Sequence, residues 1–417
     1  MKSNVASNIP RYFVYTALKG FGFGLFMAVW VIYLQQQRGL TLSQAALIDV
    51  TFFVAAALAE LPTGVVADRF GRKTSMTAGA ALMSLGVLGW TFAPTLPLII
   101  VAYVAMGIGI TFLSGAEDAF FYETLHVAGR GDDYPRLLGR VSAIFPGALA
   151  LGSVAGGFLA AIDVRLPFLI AGLALLLTLG MVLTFKEPQT REQLGAQARP
   201  SLGEVLRQSL ALLRARPTLR YPILYLAIVP LASFMIESVF VQPQALALGV
   251  PIAGIGVIVM AGQFTNMIGS AWSSRVTARF GEGRVLYTAP LVICFSLILL
   301  AVLQIVPALL LIAVMGFLTA IVRPIVLSRI QEELSDDTRA TMLSMQSLTF
   351  TLVAAVSQPS LGAIADHWGL PAAYVALAAG VSLLMMFVFW KSRQHFPQVA
   401  RSACSPQVLE PLEQVIE

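Results

Sequence analysis

Seven ionisable residues interrupt long apolar stretches of this sequence: Lys19, Asp49, Glu60, Glu117, Asp118, Glu237 and Arg323. A charge inside a hydrocarbon layer costs roughly 2.5–3.5 kcal/mol on insertion scales, so each must have a partner or a task. Lys19 facing Glu117 or Asp118 would make an ion pair, and Arg323 could close onto the same acids, forming a gate or an anchor for a charged substrate. The ordinary alternative is that Lys19 and Arg323 snorkel towards the headgroups. A buried acid without a basic neighbour could instead carry a proton, because desolvation favours its uncharged form. Glu237, set in "FMIESVFV", is the first candidate for that role, and Asp49 is the second. Asp49 stands eleven residues before Glu60, on the same helical face, and would equally suit a helix start.

The elements that must position these residues follow from composition. Only 12% of the 417 residues are charged and 57% are hydrophobic. A soluble domain carries about 25% charged residues. Apolar runs of about 20 residues recur, as a helix crossing about 30 Å of hydrocarbon requires. Twelve such spans are read, at roughly 12–34, 43–66, 74–94, 96–124, 139–162, 165–185, 221–243, 251–273, 286–305, 307–330, 341–364 and 370–391. The runs are continuous, which favours helices over the alternating strands of a barrel. At 1.5 Å per residue, Lys19, Glu60, Glu117, Asp118 and Arg323 fall about 10 Å from one end of their spans, and Asp49 and Glu237 about 10 Å from the other.

The net charge of +5 is placed, not spread. Connections after even-numbered spans, and both termini, hold nearly all the Lys and Arg, while the opposite side holds Arg38 and Arg165. This asymmetry predicts both termini in the cytoplasm and removes the reason to invoke nucleic acid. No cleavable signal peptide is expected. Cys294 and Cys404 lie too far apart in the pattern for a disulfide, and His126, His367 and His395 lack metal-ligand spacing. No phosphate-cradling loop or Ser/His/Asp set appears, so no cofactor, metal or enzymatic activity is expected.

The predicted organisation is an N-terminal six-helix bundle over 1–185, a cytoplasmic linker over 186–220, a C-terminal six-helix bundle over 221–392 and a tail over 393–417. In the linker, Ser201 and Glu204 have capping-box spacing, and Leu202, Val205, Leu206, Leu210 and Leu213 share a side. That predicts a short amphipathic helix on the membrane surface, the alternative being a flexible tether. The halves repeat: residues 210 apart bring Gly39 onto Gly249 and Arg69-Phe70-Gly71 onto Arg279-Phe280-Gly281.

Between spans 2 and 3 the chain reads "GVVADRFGRK", Gly64–Lys73. This resembles the G-x-x-x-D-[RK]-x-G-[RK]-[RK] signature of the major facilitator superfamily, matching every defined position. Together with "SGAEDAFFYETL" in span 4 it looks like a bacterial, drug-exporter-like branch. The resemblance implies an all-α membrane protein of two pseudo-symmetric six-helix bundles, a monomer, working by alternating access. It implies a conformational lock of Gly64, Asp68, Arg69, Gly71, Arg72 and Lys73; positive charge that merely sets topology is the alternative. Ala278 replaces the acid in the second copy.

Drug–proton antiporters of this kind carry G-P-x-x-G-G in span 5. Here "GSVAGG" keeps Gly152, Gly156 and Gly157, with Ser153 in place of proline. Close helix packing alone would also explain those glycines. Spans 1, 4, 7 and 10 line the cavity in the family; by residue type, Phe23, Trp30 and Tyr33 on span 1, Phe234 and Met235 on span 7, and Gln263 and Asn266 on span 8 could form an adaptable apolar pocket, unless the aromatics face lipid. The acid usual on span 1 is missing, and Lys19 stands on that span instead. The expected activity is proton-coupled export of an amphipathic, drug-like molecule across the bacterial inner membrane. The alternatives are uptake or flipping of an anionic or lipid-like metabolite, and a membrane sensor that transports nothing.

Overall fold

The computed structural model describes residues 5–188, 219–332 and 336–392, with isolated positions at 207, 211 and 214. The amphipathic helix expected after Ser201, most of the linker and the 393–417 tail lie outside the described residues. Every regular element described is helical. That is what hydrocarbon demands, since a helix satisfies its own backbone polar groups.

Numbered by span, α1 is broken into Asn8–Met27 and Trp30–Arg38, followed by α2 (Leu42–Phe70), α3 (Arg72–Phe92), α4 (Leu96–Val127), α5 (Tyr134–Ile162) and α6 (Leu166–Thr184). The second half begins with α7, which runs as Arg220–Met235, a π turn at Ile236–Phe240, and Val241–Ala247. Then come α8 (Ile252–Phe280), α9 (Glu282–Val302), α10 (Leu310–Glu332), α11 (Asp336–Trp368) and α12 (Leu370–Ser392). Among the described residues, eleven spans are long and apolar enough to cross a membrane unbroken or nearly so, and α1 makes the twelfth as a pair bent by 45°.

Three features differ from the sequence reading. α2 and α8 run four to seven residues past their apolar runs, so the turn between α2 and α3 shrinks to Gly71, and Asp68 and Arg69 are helical. Long charged side chains let a helix end continue into the headgroup layer. Gly71 and Gly281 take φ of 98° and 80°, which glycine adopts without strain. Second, α1 breaks at Ala28–Val29, where no proline or glycine signals it. Third, α7 is not continuous: its π turn falls on Glu237.

Contacts repeat with a shift of six. Pairs α1·α5, α2·α4, α3·α4 and α3·α6 in the first half correspond to α7·α11, α8·α10, α9·α10 and α9·α12 in the second. The bundles meet along α5·α8 and α2·α11, which map onto each other by the same shift. This is the repeat architecture in which a site forms between halves. We call the side carrying the α2–α3, α4–α5, α8–α9 and α10–α11 connections the basic face, and the other side the far face.

Small residues bring the backbones together. A Cβ at Gly152 or Gly156 would collide with the carbonyls of Phe21 or Leu25 on α1. Gly157 instead faces the other bundle, where a Cβ would lie 2.8 Å from the Ala253 carbonyl and 2.9 Å from the Gly256 amide. Association in lipid relies on such close contact. Gly152→Leu is therefore expected to destabilise the first bundle by about 1–3 kcal/mol through overpacking. Gly180→Leu, with open space around it, is expected to be neutral. Thermal unfolding in detergent compares them, and equal midpoints would show that backbone approach at Gly152 is not limiting.

Candidate functional site

On the first bundle, Lys19 of α1 is buried and forms an ion pair with Glu117 of α4. Tyr15, one turn before Lys19, donates its hydroxyl to the same carboxylate. The ammonium also lies 5.4 Å from the Tyr15 ring centre and 5.3 Å from that of Phe145 on α5. A charge taken from water is thus met by one full charge and two aromatic faces. Asp118 is exposed beside them, within the field of both partners. The other members of the expected charge layer do not join. Glu60 and Arg323 are exposed, and among the described residues neither has an ion pair. Arg323 does not close onto Glu117 here, because the layer's contacts are all made inside one bundle.

In the second bundle, the π turn of α7 presents Glu237 to its own bundle. Asn266 of α8 donates to the carboxylate at 3.2 Å, and Gly316 of α10 leaves the space it occupies, since a Cβ there would strike Oε1. A cavity of about 350 Å³ opens beside Glu237 towards the far face, between α7, α8 and α10. Its wall is aliphatic, including Ile258, Val259, Leu310 and Ile312, with Gln263 as a second polar group. Among the described residues no basic side chain lines it.

The next residue of the same turn points elsewhere. Ser238 reaches across to the first bundle and donates to Asp49 of α2 at 3.4 Å. Tyr103 of α4 donates to the other oxygen at 3.3 Å. Asp49 is 4% exposed, whereas Glu60 on the same helix faces outwards, so the shared face expected from spacing is not a shared environment. Gln358 of α11 is wholly buried and acts on the Asp49 carboxylate, yet neither of its side-chain polar atoms has a well-formed hydrogen bond. Four helices from both bundles therefore converge on one acid.

The aromatic positions divide. Trp30 and Tyr33 are wholly buried, away from the cavity beside Glu237. Tyr33 packs on Phe168 with ring centres 4.4 Å apart and donates to the Thr91 carbonyl at 2.8 Å, while Trp30 stacks on Tyr103. The bend in α1 swings both rings into the bundle core. Met235 is buried likewise, and Phe23 packs half-buried on Phe26 and Phe145. Phe234 does lie between bundles, 5.4 Å from Phe53 of α2 and 5.7 Å from Phe350 of α11.

At the basic face, Arg72 bonds Asp68 at 2.7 Å and approaches Glu123 of α4 at 3.6 Å. Glu187, just past α6, accepts from the amides of Arg72 and Lys73 at 2.7 and 2.9 Å, and Lys73 donates to the Leu183 carbonyl at 3.0 Å. The first turn of α3 is thus capped from its own bundle by Glu187, a residue that the sequence reading passed over. Arg69 lies exposed over the Phe70 ring. Arg329 of α10 pairs with Glu282 of α9, reproducing the Arg72–Glu123 staple with its charges exchanged.

Two packed six-helix halves related by an internal repeat are the build of many membrane transporters. The sequence profile of the Major Facilitator Superfamily matches residues 12–345, and the chain belongs to that family. It is similar to the Uncharacterized MFS-type transporter YxaM of Bacillus subtilis (strain 168), with 24% identity over 387 residues, covering 91% of this chain and 94% of that one. It is also similar to Multidrug resistance protein 1 of the same organism, 26% identical over 339 residues, covering 79% and 82%. In fold it matches the nucleoside transporter NupG with a TM-score of 0.77 at 12% identity, covering 91% and 98%. A bacterial homologue of the lysosomal transporter Spinster, in an inward-facing and unoccupied conformation, matches with a TM-score of 0.71 at 16% identity, covering 93% and 97%.

The Lys19–Glu117 pair gives a direct test of the charged layer. Lys19→Met and Glu117→Gln are each expected to cost about 3–5 kcal/mol, since each strands a buried charge or its partner. The double variant should recover part of the sum, giving a coupling of about 0.5–3 kcal/mol in a double-mutant cycle. Strict additivity of the unfolding free energies would show that the contact carries no energy.

Proposed function

We propose that this protein exports an amphipathic small molecule in exchange for protons across the bacterial inner membrane, with its basic face and termini in the cytoplasm. The observation that carries this reading is the π turn of α7. It sets Glu237 against an apolar cavity and, one residue on, ties Ser238 to Asp49 in the opposite bundle. A cavity with aliphatic walls and one acid suits a molecule with an apolar body and a cationic or hydrogen-bonding head. Proton and substrate would compete for Glu237: the protonated acid favours one orientation of the bundles, and its deprotonation accompanies substrate binding. Because Ser238 shares the turn, a shift at Glu237 reaches the contact between bundles. π turns of this kind recur at functional sites. The B. subtilis relative named a multidrug resistance protein supports the choice of substrate class.

The lock at Gly64, Asp68, Arg69, Gly71, Arg72 and Lys73 would hold the basic face closed in the other orientation. Gly152, Gly156 and Gly157 would let α5 slide against α1 and α8 while remaining in contact. A second reading, an anionic substrate, is favoured by Arg323, which is exposed and without an ion pair among the described residues. Lys19 supports it less, being already neutralised by Glu117.

Proteoliposomes loaded with a pH-sensitive dye, held under an imposed proton gradient, separate these readings. A panel of cationic, neutral and anionic amphiphiles is added in turn. At least one cationic or neutral compound is expected to move protons with the wild type and none with Glu237→Gln. Proton movement that survives Glu237→Gln, or that only anions provoke and Arg323→Ala abolishes, would overturn the proposal.

A further inference from the structure

The far face holds a second clasp. Asp366, near the end of α11, accepts from the Leu42 amide at 2.8 Å and from the Ser43 amide at 2.9 Å, one carboxylate oxygen to each. These are the first two amides of α2, in the opposite bundle. A helix start leaves four amides without intrahelical acceptors. In α2 the other two are met locally: Gln44 accepts from the Thr41 amide and Thr41 from the Gln44 amide, at 3.0 and 3.3 Å. Half of this helix end is therefore satisfied by its own bundle and half by its neighbour. The negative charge also faces the positive end of the helix dipole. Gly362, one turn earlier on α11, makes the approach possible, because a Cβ there would lie 2.7 Å from the Ser43 Cα.

The sequence around Asp366 repeats the loop signature. "GVVADRFG", Gly64–Gly71, closes α2, and "GAIADHWG", Gly362–Gly369, closes α11. In both, a glycine precedes the acid by four residues, a basic-type and an aromatic residue follow it, and a glycine of positive φ ends the helix, at 98° and 83°. α2 and α11 are also direct neighbours across the interface. Each carries this ending at its own C-terminus, on opposite faces of the membrane.

Several side-chain hydrogen bonds between bundles lie on the far half. These are the bonds of Asp366, of Ser238 to Asp49, and of Gln242 to α1. These bonds fasten the far face.

We propose that Gly362–Gly369 is the far-face counterpart of the Gly64–Lys73 lock, and that Asp366 is the positioning residue that holds the bundles closed there. Parting of the bundles on this face strips the Leu42 and Ser43 amides of their acceptor, so Asp366 stabilises one orientation and not the other. Only such a difference shifts a two-state equilibrium. With Asp68 ending α2 at the basic face, the α2·α11 pair carries one acid for each orientation. This inference rests on alternating access and is independent of the proton and substrate assigned above.

Double electron–electron resonance tests it without any substrate. In a Cys294→Ser, Cys404→Ser background, spin labels on Thr95→Cys and Ile305→Cys report the far face, and labels on Asp132→Cys and Arg284→Cys report the basic face. Asp366→Ala should raise the ratio of long to short far-face distances about tenfold, the scale expected for losing a charge-assisted pair of hydrogen bonds, and shorten the basic-face distances together with it. Asp366→Asn, which keeps an acceptor oxygen but no charge, should fall between. Gln44→Leu removes a cap of the same helix end, the acceptor of the Thr41 amide, from within its own bundle and should leave both distributions unchanged. The proposal fails if Asp366→Ala leaves the far-face distances unaltered, if only that face responds, or if Gln44→Leu acts alike. Should Asp366→Ala not fold, the same criteria apply to Asp366→Asn.

Discussion

A helix broken inside hydrocarbon frees backbone groups that must find partners within the protein. In this chain one side chain supplies them. Gln242, buried on α7, donates to the Met27 carbonyl on one side of the α1 break and accepts from the Val31 and Ile32 amides on the other, at 3.0, 3.0 and 3.4 Å. A single amide has the donor and the acceptor that such a gap requires. The bend it permits turns Trp30 and Tyr33 into the first bundle and ties that bundle to the second at the far face. The conformation of the molecule depends on this link, because the second bundle completes the backbone bonding of the first.

The same logic recurs at lower cost elsewhere. The start of α2 is completed by Asp366, and the start of α3 by Glu187. The interface between bundles is therefore partly a set of helix ends and breaks satisfied from outside. Where no polar group is exposed, glycines let the backbones touch, as at Gly157 against Gly256. Such an interface can be remade in a second arrangement, since small residues and helix ends impose little interlocking shape. The exchanged-charge staples Arg72–Glu123 and Arg329–Glu282 lie within bundles, which keeps each half rigid while the contacts between halves change.

Parts of the site could be read from residue type alone. A lone acid among apolar residues marked Glu237, and matching depth marked Lys19 with Glu117, because burial cost leaves few ways to accommodate a charge. Other parts could not. Trp30 and Tyr33 have the types of a binding pocket, but the α1 break that directs them inwards carries no proline or glycine, and its cause sits more than two hundred residues away at Gln242. Arg323 and Glu60 were placed by depth with their layer, yet depth says nothing of which way a helix face turns. Asp366 does leave a signal, since "GAIADHWG" repeats the loop pattern, but the duplication offset of 210 hides it by comparing α2 with α8 and not with α11.

The sequence by itself determined the class of fold, the twelve spans, the two halves and the family, since length, hydropathy and a contiguous signature are local properties. It also named the acids that have to be accommodated. Tertiary structure alone decided which of them meet: that Lys19 is spent on Glu117, that Asp49 is shared by four helices, that Glu237 borders a cavity, and that Gln242 and Asp366 complete helices they do not belong to. Those outcomes depend on helix rotation and on backbone groups left open by breaks and ends. Both are fixed only when the bundles pack.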